Sequence, residues 1–418
     1  MTTATKAVAP AASALQPEVA RLASLPAVQR ACAWFAAHES DLRRWQMELA
    51  CVPAPPFGEA ARAQWLRVRF EKLGLEDVHV DSIGNVLGVR RGTGKGEKFV
   101  ALTAHIDTVF PAGTPLDIRE EGGKLYGPGI SDNASGVTAL LALAAALHDF
   151  PVEHAANLVF IGNVGEEGEG NLRGMRHLFS DPQWKDALAH TLVLDGSGSD
   201  TIVTQALGSH RFEVTVRGPG GHSWSDFGAP NPIVILARAI ASFSRTKLPA
   251  EPRTSASVGV IQGGTSVNTI PESASARVDI RSTSSAEMER LERALRTAVE
   301  EALGEEAAGE RRAATAKQRA SVEIASIGSR PAAELPEGAR ILEVIRAVDS
   351  HLGNASRLHR ASTDANIPLS LSLEAVSLGA GGAGGGAHTL HEWYDPSGRE
   401  LALKRVLLAA LTLAGVRE

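Results

Sequence analysis

Short apolar runs that end in glycine- and acid-rich loops recur through the first half of the chain, and they read as buried strands. The clearest are Phe99-Val-Ala-Leu-Thr-Ala-His105, Asn157-Leu-Val-Phe-Ile-Gly162 and Thr191-Leu-Val-Leu-Asp195. Shorter strands are predicted at Val78–Asp81 and Val86–Arg90. Helical spacing predicts a helix over Ala27–Ala50, with Trp34, Leu42 and Trp45 inward, and a second over Ala60–Leu73, stopped by Gly74. The proline-rich segment Val52–Gly58 must separate them, because proline cannot continue a helix and restrains the residue before it. A long Ala/Leu helix is predicted from Gly136 to His148, and the Ala- and Pro-rich residues 1–25 are expected to form a loose arm.

The texture changes at Gly208. Arg211–Arg217 alternates with period two, as a half-exposed antiparallel strand does. A helix at Pro232–Ser244, strands at Ser255–Gln262 and Ser275–Arg281, a helix at Ala286–Leu303 and a strand at Val322–Ile327 follow. This strand-helix-strand-strand-helix-strand order is that of a small ferredoxin-like α+β module. The first texture then resumes with a helix at Gly338–Leu352, a strand at Ala375–Leu378 and a closing helix from Glu400 to Ala414. The expected fold class is α/β: a mixed-sheet domain from residues 1–207 and 329–418, with the smaller α+β domain, 208–328, inserted into it.

At 418 residues the chain is too long for one ordinary core, in keeping with two domains. A net charge of −6 with no basic stripe argues against a nucleic-acid partner, and none is expected. No apolar run is long enough to span a bilayer and no signal-peptide pattern opens the chain, so no membrane partner and a cytoplasmic location are expected. Cys32 and Cys51 are the only cysteines, so any metal site must use His, Asp and Glu. The turn Gly92–Glu97 lacks the spacing of a phosphate loop.

Candidate chemistry gathers where the apolar runs stop. His105 and Asp107 are two residues apart, on one face of an extended backbone, at the strand end where an open α/β sheet places its site. Asp107 is close enough to fix the tautomer of a metal-binding His105. Asp132 precedes a helix, where a capping carboxylate is also common. Glu166 and Glu167 are adjacent acids wrapped in glycines, and their repulsion calls for a cation or a shared proton. With Asp195 and His388 the set contains two imidazoles and enough carboxylates for two divalent metals sharing an aspartate. Mixed His/carboxylate ligation suits zinc, manganese or cobalt.

The segments Ala104-His-Ile-Asp-Thr, Gly129-Ile-Ser-Asp-Asn-Ala-Ser-Gly, Gly165-Glu-Glu-Gly, Leu194-Asp-Gly, Gly220-Gly-His-Ser and Ala387-His-Thr-Leu-His-Glu-Trp span both domains. In type and order they resemble the M20 family of metallopeptidases, in its peptidase-T-like and dipeptidase-like branches. The resemblance implies a di-metal hydrolase domain with a lid and dimerisation domain, cutting the amide bond of a small peptide. It implies that His105 and Asp195 hold one metal, Glu167 and His388 the other, and that Asp132 bridges them. Glu166 would be the general base, Asp107 would orient His105, and His222 would steady the oxyanion, in many relatives from the partner subunit of a homodimer. Asn268 and Arg281 fall at substrate-binding positions, although an arginine ending an exposed strand also reads as a solvated charge. His391, three residues after His388, is a competing ligand. Aspartate at 195 tilts the expectation toward amino- or dipeptidases, against a deacylase of N-acyl amino acids or a carboxypeptidase on the same scaffold. The complete ligand set argues against a non-catalytic relative.

Overall fold

Four neighbouring parallel strands bring the acid- and histidine-bearing segments to one edge of the main sheet. In this computed structural model, which describes residues 15–94, 98–310 and 319–416, they are Asn157–Asn163, Phe99–His105, Leu188–Leu194 and Glu374–Leu378. Register pairs His105 with Asn163 and Thr103 with Val193, so His105 and Asp195 reach the carboxyl edge level with each other. Val86–Arg90 and Glu76–Val80 extend the sheet antiparallel on one side. On the other, Thr201–Ala206 runs antiparallel to Glu374–Leu378 and carries Arg357–Ala361 parallel at its flank. The sheet is mixed, and its strands carry near-continuous apolar runs because helices cover both faces. Ala134–Asp149 is buried along almost its whole length, hence its all-round Ala/Leu sequence. Leu172, Met175, Leu178 and Phe179, on and just before Arg173–Ser180, pack on Leu87, Ala101, Val159 and Ile161.

By their contacts the residues form two compact units, Met1–Ala206 with Glu334–Glu418, and Leu207–Ala333. The second is an antiparallel four-stranded sheet in the order Thr254–Gly263, Ser273–Ser282, Gly208–Arg217, Ser321–Arg330, the ferredoxin-like arrangement. Pro232–Phe243 and Ser285–Glu310 cover one face, with Phe212, Val214, Val216, Ile235, Ile280 and Leu291 in its core. Among the described residues no helix is long and apolar enough to cross a membrane.

Several local expectations are corrected. Residues 1–14 of the expected arm lie outside the described residues, but Gln16–Ser24 is a helix with Val19 and Leu22 buried. The helix expected over 27–50 is two, Pro26–Ala37 and Glu39–Ala50, broken at His38, whose ring stacks on Trp34 at 4.1 Å between centroids. The strands Thr201–Ala206 and Arg357–Ala361 were not predicted, because the second is exposed and carries no apolar run. The turn at 92–97 is described only to residue 94.

The loop that delivers Asp132 is fixed from beneath by a carboxylate the sequence does not single out. Glu392 is fully buried, and its Oε1 accepts from the amides of Ser131 and Asp132 at 2.7 Å each, while Oε2 accepts from Gly129 at 2.9 Å. Burial pushes its pKa up to about 7 against the pull of these three amides. Gln46 Nε2 donates to Ile130 O at 2.6 Å in the same loop. Beyond it, Asn133 caps Ala134–Asp149 by accepting from Gly136 N, and donates to Leu194 O at 2.9 Å, which ties the helix start to the Asp195 strand. A side chain at Gly136 would stand 2.5 Å from Leu194 O, so this approach requires glycine. Glu392→Ala strands three buried amides and is expected to cost on the order of 3 kcal/mol or more in chemical denaturation, with Glu392→Gln milder. A loss below about 1 kcal/mol for the alanine variant would mean that the loop does not depend on this carboxylate.

Candidate metal centre

Two ligand sets meet at Asp132. Its Oδ1 lies 3.2 Å from His105 Nε2, which is also 3.8 Å from Asp195 Oδ1. Its Oδ2 lies 3.1 Å from His388 Nε2, which is 3.0 Å from Glu167 Oε1. Within each of the sets His105–Asp132–Asp195 and Asp132–Glu167–His388, the donor atoms lie within 4.8 Å of one another. One carboxylate therefore faces both sets with different oxygens. Asp132 Oδ1 is buried and makes no hydrogen bond, which is a costly state for a carboxylate oxygen unless a cation satisfies it. Hard oxygen donors mixed with imidazole nitrogen fit a divalent ion such as zinc, manganese or cobalt.

Five segments deliver these groups. His105 ends its strand, 1 % exposed, and its Nδ1 is 3.1 Å from the backbone carbonyl of Asp107 and 3.6 Å from that residue's Oδ1. A proton on Nδ1 leaves Nε2 as the ring atom facing Asp132 and Asp195, the one from which an arriving cation would displace a proton. The strand stops at His105, so Asp107 is brought back by the turn that follows. Its carboxylate accepts from the amides of Glu166 at 3.1 Å and Glu167 at 2.8 Å, which fixes the two acids as well as facing the imidazole. Glu166 is buried and shares a third set with His105 and Glu167. His388 is held at φ 65° in the Gly/Ala-rich loop, half exposed, whereas His391 joins no such set among the described residues.

The electrostatics are those of crowded negative charge. Burial opposes charging His105, yet Asp107, Asp132 and Asp195 together hold its pKa well above the usual value. Asp132 and Glu167 push His388 up to about 10. Burial works against Asp132 too, but the two imidazoles hold it well below the usual carboxylate range. Asp364, which sequence reasoning left without a role, is fully buried and accepts from Asn163 Nδ2 at 2.6 Å. Burial raises its pKa to about 7, His105 draws it down, and Asp107 and Asp195 push it up. Nothing local in Ser-Thr-Asp-Ala distinguishes this carboxyl; only the fold carries it into the field of the site.

On Leu207–Ala333, His222 and Asn268 lie together, but Arg281 does not join them. His222 sits in a two-residue pairing with Thr269, and Ser223 N donates to Asn268 O at 3.0 Å. His222 Nδ1 accepts from Trp224 N at 3.1 Å, so its proton is on Nε2 and the ring is an outward-facing donor. Arg281 is eight residues along Ser273–Ser282 from the end near this turn, roughly 27 Å at the rise of an extended strand, and bonds Asp279 at 2.7 Å.

Comparison with known proteins places this arrangement. The chain is 26 % identical over 360 residues to the uncharacterized protein YqjE of Bacillus subtilis, spanning 82 % of this chain and 91 % of that one. Its fold is that of the aminopeptidase PepT of Bacillus cereus, with a TM-score of 0.70 at 24 % identity, covering 88 % of this chain and 97 % of that one. It is also that of the YXEP protein of Bacillus subtilis, described as a dinuclear metal-binding peptidase, with a TM-score of 0.67 at 16 % identity over 91 % and 99 % of the two chains. The model of peptidase family M20/M25/M40 matches residues 101–412, about three quarters of the sequence, and the chain belongs to that family.

Proposed function

We propose that this protein is a two-metal hydrolase that cleaves the peptide bond of a small peptide bearing a free amino group, as an amino-, di- or tripeptidase. The reading rests above all on Asp132, whose two oxygens face two separate ligand sets. His105 and Asp195 would hold one divalent ion, Glu167 and His388 the other, and Asp132 both. When bound, such a pair supplies Lewis acidity and a water nucleophilic at neutral pH. Zinc is the ion expected first, with manganese and cobalt as alternatives.

The chain's own groups do the rest. Glu166, fixed through its amide by Asp107, takes the water's proton and passes it to the leaving amine. His222 Nε2–H donates to the developing oxyanion. The peptide reading is preferred to N-acyl-amino-acid deacylation because the family resemblance associates aspartate at the position of Asp195 with amino- and dipeptidases.

The placement of His222 and Arg281 supports a homodimer. One small substrate cannot touch two groups of the same lid about 27 Å apart, so if both serve one site they come from different copies. The outer strand Thr254–Gly263 leaves an open edge with Val260 and Ile261 exposed, and Ile233 and Val234 are exposed on Pro232–Phe243, which is the character of a self-pairing surface.

Metal-reconstituted protein is expected to hydrolyse a free dipeptide and tripeptide but not the same dipeptide N-acetylated. Glu166→Gln should lower turnover by about 10²–10⁴-fold at unchanged metal content. Preference for the acetylated substrate would move the enzyme to the deacylase class, and a fully active Glu166→Gln would remove that residue from the chemistry. Because the carboxylates raise both imidazole pKa values, His105 and His388 carry protons at pH 7 that an arriving cation displaces. Zinc titrations in buffers of different ionisation enthalpy should therefore show proton release, and affinity should weaken as pH falls; binding without proton release would contradict the ligand assignment. Mixing inactive His222→Ala with inactive Glu166→Ala protein should restore activity through heterodimers, which contain one intact site. No recovery after subunit exchange would rule out donation of His222 across the dimer.

A further inference from the structure

The turn Pro55-Pro56-Phe57-Gly58 is closed by Gly58 N donating to Pro55 O at 2.8 Å, and its third residue has φ 69°. That position takes glycine in most turns of this form, and a glycine stands one residue later; here it is filled by phenylalanine. A bulky side chain in the left-handed region is an outlier that persists only where its surroundings impose it. The surroundings do so. Arg62, fully buried, bonds Val52 O at 2.7 Å and Ile106 O at 3.0 Å, and Ala54 O accepts from Thr108 N at 2.9 Å, which laces the segment to the residues on either side of Asp107.

Phe57 does not use its position to fill the core. It is 69 % exposed, and the guanidinium of Arg173 lies 5.0 Å from its ring centroid. Arg173 is itself fixed, bonding buried Glu59 at 2.6 Å and Ile83 O at 2.8 Å. Its stem packs so closely on Gly165 that a Cβ there would stand 2.6 Å from Arg173 Cγ. Gly165 immediately precedes Glu166 and Glu167. A strained, exposed aromatic ring thus lies over an immobilised arginine, and the stem of that arginine packs on the residue that precedes the candidate base and a candidate ligand.

We propose that Phe57 is a specificity-determining residue, an exposed apolar wall joined through Arg173 to the loop of Glu166 and Glu167, against which a leucyl or aromatic side chain of the peptide packs. The inference rests on the peptidase reading above. It accounts for an aromatic ring in a place where neither backbone conformation nor burial favours one.

The test compares kcat/KM for alanyl-alanine, leucyl-alanine and alanyl-leucine in metal-loaded wild type, Phe57→Ala, Phe57→Gly and Phe57→Tyr. The alanine and glycine variants should lose about tenfold in the preference for leucine over alanine on one side of the scissile bond, mainly through KM, and the tyrosine variant should retain it. Phe57→Gly, freed of the strained φ, should unfold at or above the wild-type temperature. Preference ratios unchanged within about twofold overturn the proposal, and a lowered unfolding temperature beside unchanged ratios makes Phe57 a structural residue. A wild type that hydrolyses none of the three and no free tripeptide overturns the peptidase reading and this inference together, whereas an active wild type with unaltered preferences in the variants overturns this inference alone.

Discussion

The sharing of Asp132 between two imidazoles is the interaction on which the first unit is organised. Asp107, Asp132, Glu166, Glu167 and Asp195 are gathered around His105 and His388, far more negative charge than a protein interior holds without compensation. Every segment that approaches this centre is held by hydrogen bonds to backbone amides or carbonyls. Asp107 holds the Glu166–Glu167 amides, Glu392 holds the Gly129–Asp132 amides, and Asn133 joins the helix start to Leu194. Such bonding keeps like charges at fixed distances that repulsion would otherwise widen.

The parallel strands supply the geometry. Their carboxyl ends lie at one edge, so segments remote in sequence become neighbours in space without long loops. The helices on both faces supply the stability that lets the edge remain polar, and Ala134–Asp149 is the clearest case, buried along almost its whole length and capped by Asn133, the residue next to Asp132. The second unit has a simpler logic: alternating strands under two helices, with His222 and Asn268 carried on turns at one end of the sheet.

The candidate ligands and base draw on a different part of this plan from Phe57 and His222. The candidate ligands and base sit on strand ends and capped loops, where position is fixed to a fraction of an ångström. Phe57 and His222 sit on turns, exposed and held by only a few bonds each. Side chains that meet a variable substrate can occupy such places, because turns tolerate changes that sheet ends do not.

The sequence by itself determined the types of most elements and marked the residues of the candidate centre. Period-two alternation marked the strands of the inserted unit, apolar runs marked the buried parallel strands, and the shortage of cysteine left only His, Asp and Glu as ligands. Local pattern could carry that much because it records which faces are buried. It did not carry the break at His38, the exposed strand Arg357–Ala361, or the fully buried Glu392 and Asp364, because a single charged residue reads the same whether it meets water or three buried amides. Nor did it show that Asp132 presents one oxygen to each imidazole, that Arg281 lies a strand's length from His222, or that Phe57 rather than Gly58 takes the left-handed turn position. Those facts depend on which distant segments pack together, and that is decided by the tertiary fold.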